Sequence, residues 1–346
     1  MKAARSRLLR WFDAHARDLP WRRTRDPYAI WVSEVMLQQT QIKTVIPYYE
    51  RFIARFGTVT KLARASQDAV LSHWSGLGYY RRARQLHAAA KVMLAEHGGL
   101  VPRDREARLA LPGIGAYTAG AIGSIAFDLC EPIVDGNVAR VLSRVHAIDA
   151  PLGSKESEAA LWDHARRWVE GPRPGALNQA LMELGATLCS KSEPRCDDCP
   201  LRSSCVAQHE DRTELLPVPK VRRAPKDVAL VAVRAKQGAK VVLVRSDVEL
   251  FGGLYGLPSV SIDTGASKAQ RRAAAARALA NIELLAAGPF EERGEVVHVL
   301  THRRMTVSVW EVEVKPVKRA ASVRALSDRE LGQVGISTLT KRLLSS

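Results

Sequence analysis

The chain has 346 residues, which is enough for about two domains of ordinary size. Hydrophobic residues make up 46% and charged residues 25%, a balance typical of globular proteins. No apolar run approaches the roughly 20 residues of a membrane-spanning helix. Lys and Arg outnumber Asp and Glu by 52 to 36, and the net charge is +16. The composition argues against a disordered chain and a membrane protein, and it favours a polyanionic partner, with nucleic acid ahead of an anionic membrane surface.

Helical spacing of apolar residues extends from the N-terminus to about residue 212, with Pro and Gly signals between the helices. The first 18 residues contain Asp13 and Asp18 and lack a cleavable apolar core, so we expect a first helix and not a targeting peptide. Prolines then interrupt every periodicity in residues 213–227. The pattern predicts an all-α domain at 1–212, a linker at 213–227 and an α+β domain at 228–346.

The predicted α+β domain is rich in short β-branched runs. Its predicted elements are strands at 228–233, 241–244, 296–300 and 305–314, and a helix at 269–280.

Four of the five cysteines lie within seventeen residues, at Cys189, Cys196, Cys199 and Cys205. Four thiolates in one loop suit either a tetrahedral zinc ion or a [4Fe-4S] cluster. Zinc sites usually pair two short Cys-x2-4-Cys knuckles across a longer spacer, so the single C-x6-C-x2-C-x5-C run favours the iron–sulfur cluster. The fifth cysteine, Cys130, is expected to be a buried core thiol.

Residues 111–119 join two predicted helices, of which the first ends near Leu109 and the second runs to Phe127. Gly113 and Gly115 would let backbone N–H groups converge on an anion, such as a DNA phosphate, at the start of the second helix. The alternative is an ordinary glycine-containing connection between helices.

Two acids are candidate catalytic groups. Asp135 lies 20 residues beyond Gly115 and directly before a helix predicted at 138–148, where it can be a plain N-cap or an anion that faces a cationic sugar. Glu34 lies on a helix predicted at 28–40, and three of its four neighbours at i±3 and i±4 are apolar. Desolvation there raises the pKa of a carboxyl group, as a general acid requires, whereas the alternative is a structural ion pair with an arginine.

Together these residues resemble the helix-hairpin-helix DNA glycosylases that carry an iron–sulfur loop, and within that superfamily the MutY-type adenine DNA glycosylases. Residues 111–119 are similar to the family hairpin, Asp135 to the acid that follows it, and the four clustered cysteines to its cluster ligands. Further similar segments lie at residues 19–22, 33–41, 76–80 and 178–185. The resemblance is dense over about residues 7–210 and loose over 215–346.

The resemblance implies hydrolysis of the N-glycosidic bond of adenine mispaired with 8-oxoguanine or guanine in duplex DNA. Glu34 would be the general acid and base, and Asp135 would stabilise the oxocarbenium ion. Tyr117 stands where endonuclease III-type enzymes carry a nucleophilic lysine, so no Schiff base is expected and Tyr117 becomes a candidate hydrogen-bond partner in the pocket. Tyr79 or Gln39 would fill the gap left by the extruded adenine. The other residues expected to contact adenine or DNA are Trp21, Arg22, Leu37, Gln38, Gly113, Gly115, Asn137, Gln179 and Glu183.

The resemblance also implies that residues 228–346 form a Nudix-like module that reads 8-oxoguanine opposite the adenine. Thr301 and His302 lie where the family places its lesion-sensing loop, and Leu300 replaces a common aromatic residue there. A Nudix hydrolase needs a run of glutamates to hold Mg²⁺, but residues 265–287 contain only Glu283. We therefore expect this domain to bind and not to hydrolyse.

Two alternatives stay open. One is an endonuclease III-like pyrimidine-lesion glycosylase and lyase, against which Tyr117 and the additional domain argue. The other is a non-catalytic iron–sulfur protein that binds DNA or senses redox state, in which Glu34 and Asp135 are structural. We expect a monomer with double-stranded DNA as its partner, no membrane association, and a cytoplasmic, nucleoid-associated location in a bacterium. The sequence does not identify clamp or repair proteins that would bind it.

Overall fold

The computed structural model describes residues 1–220, 225–247, 251–300, 302–316 and 322–346. The chain forms two compact units, Met1–Ala63 with Ala88–Arg222, and Arg64–His87 with Arg223–Ser346. The segment Arg64–His87 is helical, and its sequence gives no sign that it packs with the C-terminal residues. Within the described residues, no helix is both long and apolar enough to cross a membrane.

The described chain up to residue 220 is helical, as the apolar spacing predicts. The helices are α1 (Lys2–His15), α2 (Pro27–Leu37), α3 (Ile42–Arg55), α4 (Val59–Arg64), α5 (Gln67–Trp74), α6 (Arg81–Glu96), α7 (Arg105–Leu109), α8 (Ala116–Phe127), α9 (Gly136–Val145), α10 (Lys155–Val169), α11 (Pro174–Thr187) and α12 (Val206–His209). Single 3₁₀ turns occur at Pro20–Arg22 and Arg202–Ser204.

Two of these helices are shorter than predicted. Helix α2 ends at Leu37, because Gln39 adopts a left-handed conformation with φ 56°. Helix α9 ends at Val145, and Ala147 has φ 50°. Glycine and asparagine usually mark such left-handed helix ends. The sequence carries no comparable signal at Gln39 or Ala147, so the predicted helices extend three residues beyond the observed C-terminal ends.

One hydrophobic cluster of the first unit lies among α1, α9, α10 and α11. Leu8, Leu142, Leu161 and Leu177 are among its fully or almost fully buried side chains. Helices α9 and α11 come very close at Gly185, where a Cβ atom would lie 2.7 Å from the Cβ atom of Asn137. This close approach fixes the N-terminus of α9, and therefore Asp135, against α11.

The second unit contains a seven-stranded sheet and confirms the predicted α+β class. Its strands are β1 (Lys226–Gln237), β2 (Lys240–Arg245), β3 (Tyr255–Gly256), β4 (Ser259–Ile262), β5 (Glu291–Leu300), β6 (Arg303–Glu313) and β7 (Val323–Leu326), and its C-terminal helices are α13 (Lys268–Ala280), α14 (Asp328–Leu331) and α15 (Thr338–Ser345). The strand order is β3-β2-β1-β6-β5, with β4 also paired to β1 and β7 to β2. Strands β1 and β6 are parallel, from Lys226 opposite Arg303 to Lys236 opposite Glu313, and the other pairs are antiparallel.

Helices cover both faces of this sheet. Successive residues of β1 alternate between the faces. Val231 and Val233 pack with Ala274 of α13, and Ala232 packs with Leu339 of α15. The middle of β1 is therefore a continuous apolar run, as expected of a strand that is buried on both sides.

Candidate active site

The side chain of Glu34 is buried on α2, with an exposed fraction of 4%. Tyr117, on the first turn of α8, donates a hydrogen bond from its hydroxyl to Oε2 of Glu34 at 2.6 Å. Burial raises the pKa of Glu34 to about 7, opposed by the bond from Tyr117 and the charge of Arg22 and assisted by the negative charge of Asp135. At neutral pH Glu34 can therefore donate a proton in one step and accept one in another.

Asp135 is the N-cap of α9. Its Oδ1 accepts a hydrogen bond from the Val138 backbone N–H at 2.7 Å, and its Oδ2 accepts one from Nδ2 of Asn137 at 3.2 Å. Burial raises the pKa of Asp135 above its ordinary value, and these hydrogen bonds oppose that rise. The charge of Asp135 raises the pKa of both Glu34 and Tyr117, so the three groups form one electrostatic cluster. Because Asp135 accepts hydrogen bonds from the Val138 backbone N–H and the Asn137 side chain at a helix N-terminus, we expect it to ionise before Glu34.

The predicted helical hairpin is present as α7, a turn and α8. Gly113 has φ 76°, a conformation that favours glycine. Gly115 caps α8 with an ordinary φ, and a Cβ atom added there would meet nothing within 4 Å. The N-terminus of α8 is therefore open to an approaching anion.

A buried ion network behind the hairpin has no local signal in the sequence. Arg108 has no exposed surface and donates hydrogen bonds to the carboxylate of Glu131 and to the Ala119 carbonyl oxygen, the latter at 3.2 Å. Arg105 also donates to Glu131, at 2.7 Å. Asn178 of α11 donates to the Glu131 carbonyl oxygen at 2.8 Å. The chain that leads from Glu131 to Asp135 is thereby fixed to α7, α8 and α11.

Two helical glycines are the one signal that could have revealed this contact. A Cβ atom on Gly120 would lie 2.2 Å from the Pro132 carbonyl oxygen, and one on Gly123 would lie 2.4 Å from the Glu131 carboxylate. Glycine in a helix interior lowers stability relative to alanine. Its presence there indicates that a neighbouring segment leaves no room for a Cβ atom. The Gly-x-x-Gly spacing in α8 therefore marks the face on which the Glu131 segment lies.

Glu183 is held by two arginines. Its side chain, 1% exposed, accepts hydrogen bonds from Arg17 Nε at 2.6 Å and from Arg22 Nη2 at 2.8 Å. Burial alone would raise the pKa of Glu183, but the two arginines offset it and the pKa is lowered. The carboxylate is thus satisfied within the protein, and it fixes Arg22 beside Glu34.

The remaining predicted contacts on the first unit lie around α2 and α11. Trp21 is buried and packs edge-on against the Tyr49 ring at 5.3 Å. Gln38 donates to Oγ1 of Thr118 at 3.3 Å, Leu37 is half-buried and Gln39 is exposed. Gln179 donates back to the helix carbonyl of Gly175 at 3.4 Å.

The other predicted site residues belong to the second unit. Tyr79 is exposed on a turn, whereas its neighbour Tyr80 is buried. His302 is exposed beside the β5–β6 turn. Thr301 lies outside the described residues.

The four clustered cysteines line one pocket together with Arg144. Arg144 is buried and donates to Sγ of Cys189 at 3.2 Å, to the Ser190 carbonyl oxygen at 2.7 Å and to the Leu216 carbonyl oxygen at 2.9 Å. Burial raises the pKa of Cys199 to about 11, so a metal would be needed to hold its thiolate. Among the described residues, no group of three or more His, Cys, Asp or Glu has the arrangement of a metal-ion site.

Cys130 was expected in the core, but it is exposed. Helix α8 ends at Phe127, where Asp128 adopts a left-handed conformation with φ 55°. The Glu131 N–H donates to the Leu129 carbonyl oxygen at 2.7 Å, so Cys130 lies at the exposed centre of a tight turn before the buried Glu131.

Comparisons with known proteins identify the family to which the chain belongs. A family model described as HhH-GPD superfamily base excision DNA repair protein matches residues 32–167. The adenine DNA glycosylase of Rattus norvegicus is 37% identical over 398 residues, a match that covers 99% of this chain and 77% of the relative. The adenine DNA glycosylase of Homo sapiens is 36% identical and covers 99% of this chain and 73% of the relative.

Solved structures support the helical fold. A thermostable thymine-DNA glycosylase is 31% identical with a TM-score of 0.54, over 60% of this chain and 96% of that one. An endonuclease III structure in a trapped covalent complex with DNA has a TM-score of 0.50 at 22% identity, over 61% of this chain and 96% of that one, which shows the fold alone. The chain therefore belongs to the adenine DNA glycosylase family of base excision DNA repair enzymes.

Proposed function

We propose that the chain hydrolyses the N-glycosidic bond of adenine paired with 8-oxoguanine or guanine in duplex DNA, without cutting the strand. The observation that carries this proposal is the buried Glu34, with its pKa raised to about 7, in one electrostatic cluster with Asp135 and Tyr117. Two carboxyl groups in different environments can divide the roles of proton donor and anion.

The reaction begins when adenine leaves the base stack, because its glycosidic bond is inaccessible inside the duplex. Protonated Glu34 gives its proton to the purine, at N7, and the C1′–N9 bond breaks with its electron pair going to the base. The sugar is left as an oxocarbenium-like cation, which the carboxylate of Asp135 stabilises. Ionised Glu34 then takes a proton from water while the water oxygen bonds to C1′.

Tyr117 supports the monofunctional outcome. A lyase needs an amine that attacks C1′, and the hairpin offers a phenol at this position. Through its bond to Oε2, Tyr117 orients the Glu34 carboxyl group and lowers its pKa.

The remaining residues bind and shape the substrate. Gly113 and Gly115 would admit a DNA phosphate to the N-terminus of α8, and Tyr79 or Gln39 would fill the space of the extruded base. Glu183 would act through Arg22, because its carboxylate is already bonded to that side chain. Trp21, Arg22, Leu37, Gln38, Asn137 and Gln179 complete the proposed pocket.

We propose that Cys189, Cys196, Cys199 and Cys205 hold a [4Fe-4S] cluster. The four thiols line a common pocket, and their single C-x6-C-x2-C-x5-C run lacks the two separated knuckles of zinc sites, which supports a cluster over zinc. When bound, the cluster would fix the loop that carries Lys191 and Arg195 towards a DNA phosphate. Iron and sulfide analysis with visible absorbance of anaerobically purified protein tests this, and one zinc ion per chain in place of iron would contradict it.

We further propose that residues 1–212 form the catalytic domain, 213–227 a linker and 228–346 a Nudix-like domain that recognises 8-oxoguanine through Thr301 and His302. Only Glu283 is available among residues 265–287 to hold Mg²⁺, so this domain binds without hydrolysing. The proposed partner is double-stranded DNA, to which the net charge of +16 is suited, and the proposed location is the bacterial cytoplasm, in association with the nucleoid.

The decisive experiment is single-turnover release of adenine from duplexes that contain A:8-oxoguanine, A:G, A:T or thymine glycol, analysed before and after alkali. We expect adenine release from the first two, with strand breaks only after alkali. Glu34→Gln and Asp135→Asn should each abolish release, whereas Glu50→Gln, at an exposed glutamate of α3, should not. Full adenine release by both acid variants would contradict the mechanism, and binding without release from any duplex would favour a non-catalytic protein.

A further inference from the structure

The turn that carries Tyr79 packs with the C-terminal sheet. Residues Arg64–His87 and Arg223–Ser346 form one compact unit, and the turn Gly76–Tyr80 connects α5 to α6 within it. Tyr79 is 47% exposed and has φ 48°. A non-glycine residue keeps such a conformation only where its surroundings impose it. The contacts of the turn therefore determine where the Tyr79 ring is held.

Tyr80 attaches this turn to the C-terminal residues. Its side chain is 5% exposed, and its hydroxyl accepts a hydrogen bond from the Gly76 N–H and donates one to the Ile336 carbonyl oxygen, both at 3.0 Å. Ser75 donates to the same carbonyl oxygen at 3.2 Å. One backbone carbonyl before α15 thus receives hydrogen bonds from Tyr80, the last residue of the turn, and from Ser75, the residue directly before the turn.

The Ile336 segment is itself fixed to the sheet. Tyr255 of β3 is fully buried, forms a parallel bridge with Ile336 and donates from its backbone N–H to the Gly335 carbonyl oxygen at 2.8 Å. Gly335 also lies against α5, because a Cβ atom added there would be 2.7 Å from the Cβ atom of Leu71. The segment has little freedom to move away from either α5 or β3.

A second attachment runs through Asp68 of α5. The guanidinium groups of Arg245 and Arg324 lie over the ring of Tyr255, at 5.0 and 5.2 Å from its centre. Arg245 forms an ion pair with Asp68, and Nη1 of Arg324 is 3.8 Å from Oδ2 of the same carboxylate. Asp68 therefore connects α5 to two strands of the sheet, β2 and β7.

We propose that Tyr80 and Asp68 are positioning residues through which the C-terminal sheet holds Tyr79 ready to enter the duplex. The domain that is proposed to read the base opposite adenine would then also position the side chain that is proposed to fill the space of the extruded adenine. This inference rests on the proposed function of Tyr79. Tyr80 and Asp68 fix the position from which Tyr79 enters the duplex, and they do not contact the DNA themselves.

The test measures insertion directly and not only turnover. A duplex carries 2-aminopurine next to the adenine of an A:8-oxoguanine pair, and each variant is made in a Glu34→Gln background so that the adenine stays in place. The fluorescence of 2-aminopurine rises when its stacking is disrupted, as insertion of a ring requires. Fluorescence and binding affinity are recorded for Tyr79→Ala, Tyr80→Phe, Asp68→Asn and Asp68→Glu.

We expect Tyr79→Ala to lose most of the fluorescence rise. Tyr80→Phe and Asp68→Asn should each reduce the rise about twofold or more, and Asp68→Glu should restore part of it because the ion pair can re-form. The matched control is Asp13→Asn, which removes the ion pair between Asp13 and Arg173 on the first unit and should keep the full rise. Circular dichroism of each variant excludes loss of the fold.

Two results would overturn the inference in different ways. If Tyr79→Ala loses the fluorescence rise while folded Tyr80→Phe and Asp68→Asn both keep it, the C-terminal sheet does not position Tyr79. If Tyr79→Ala itself keeps the full rise, Tyr79 is not the inserted group, and its proposed function fails together with the inference. Adenine release by the protein with Glu34 intact is measured separately, so the proposed glycosylase activity is judged independently of both results.

Discussion

The hydroxyl of Tyr117 lies 2.6 Å from Oε2 of Glu34 and joins the first turn of α8 to the middle of α2. A phenol that donates to a carboxylate stabilises the ionised form of that carboxylate and lowers its pKa. Burial acts in the opposite direction and is stronger, since the pKa of Glu34 is raised to about 7. Two opposed effects therefore set the proton affinity of the proposed acid, and substitutions can separate them.

The first prediction concerns the pH dependence of adenine release. Glu34 must be protonated to act as the acid, so the single-turnover rate should fall as pH rises through about 7. In Tyr117→Phe the hydrogen bond that favours ionised Glu34 is lost, so the midpoint of the pH–rate profile should move to higher pH. Rates measured from pH 5 to 9, with Tyr48→Phe as the control, test this. A midpoint that stays in place or moves to lower pH would show that Tyr117 does not influence the titrating group.

The second prediction concerns stability. The pKa of Glu34 is raised in the folded protein from 4.5 to about 7, so its contribution to stability is fully present below pH 4.5 and is lost as pH rises to 7. Glu34→Gln has no such titration. Its free energy of unfolding relative to the wild type should therefore increase by about 3 kcal/mol between pH 4.5 and 8. Urea unfolding at the two pH values measures this difference, and Glu50→Gln should show no comparable change.

The third prediction concerns strand cleavage. Tyr117→Lys places an amine beside Glu34 and Asp135, where it can attack C1′ after the base departs. The resulting Schiff base should be reduced by borohydride to a stable protein–DNA adduct, which gel electrophoresis detects. The wild-type chain should form little or none of this adduct. Equal trapping by both proteins would mean that another amine reaches the sugar, and the monofunctional assignment would fail.

The fourth prediction concerns the support of Asp135. In Gly120→Ala the added Cβ atom would lie 2.2 Å from the Pro132 carbonyl oxygen, so either α8 or the segment leading to Asp135 must shift. We expect a loss of about 3 kcal/mol in the free energy of unfolding. Gly136→Ala is the matched control, because a Cβ atom there meets nothing within 4 Å and the residue opens a helix. Similar stability of the two variants in thermal unfolding would show that the Gly120 contact is not close in solution.

Sequence reasoning succeeded where the signal is local. The helix predicted from residue 28 is present as α2, with Asp26 as its N-cap, and the apolar neighbours of Glu34 indicate its burial, which is observed. The turn between α7 and α8 was recognisable from its two glycines. Gly113 supplies the positive φ of the turn, and Gly115 leaves the N-terminus of α8 open to an anion. Each of these features depends on residues within a few positions of one another.

The missed features are non-local. Glu183 accepts hydrogen bonds from Arg17 and Arg22, which lie more than 160 residues away in the chain. Arg144 donates a hydrogen bond to Cys189, which lies 45 residues away. Any of the 52 Lys and Arg residues could have been the partner of a given acid, so the pattern alone does not select one. The grouping of Arg64–His87 with the C-terminal residues is likewise a result of packing, which helical spacing does not encode.

Gly115 allows the proposed DNA contact of α8 to be changed without changing the fold. Its φ is ordinary for any residue and the space beside it is empty, so an alanine there should leave the fold and its stability unchanged. The methyl group of that alanine would lie at the N-terminus of α8, where a phosphate needs to approach the backbone closely. Under the proposed function, a cell with such a variant would make normal amounts of a protein that binds its DNA substrate poorly. Screens for harmful variants that score only protein abundance would therefore classify it as benign.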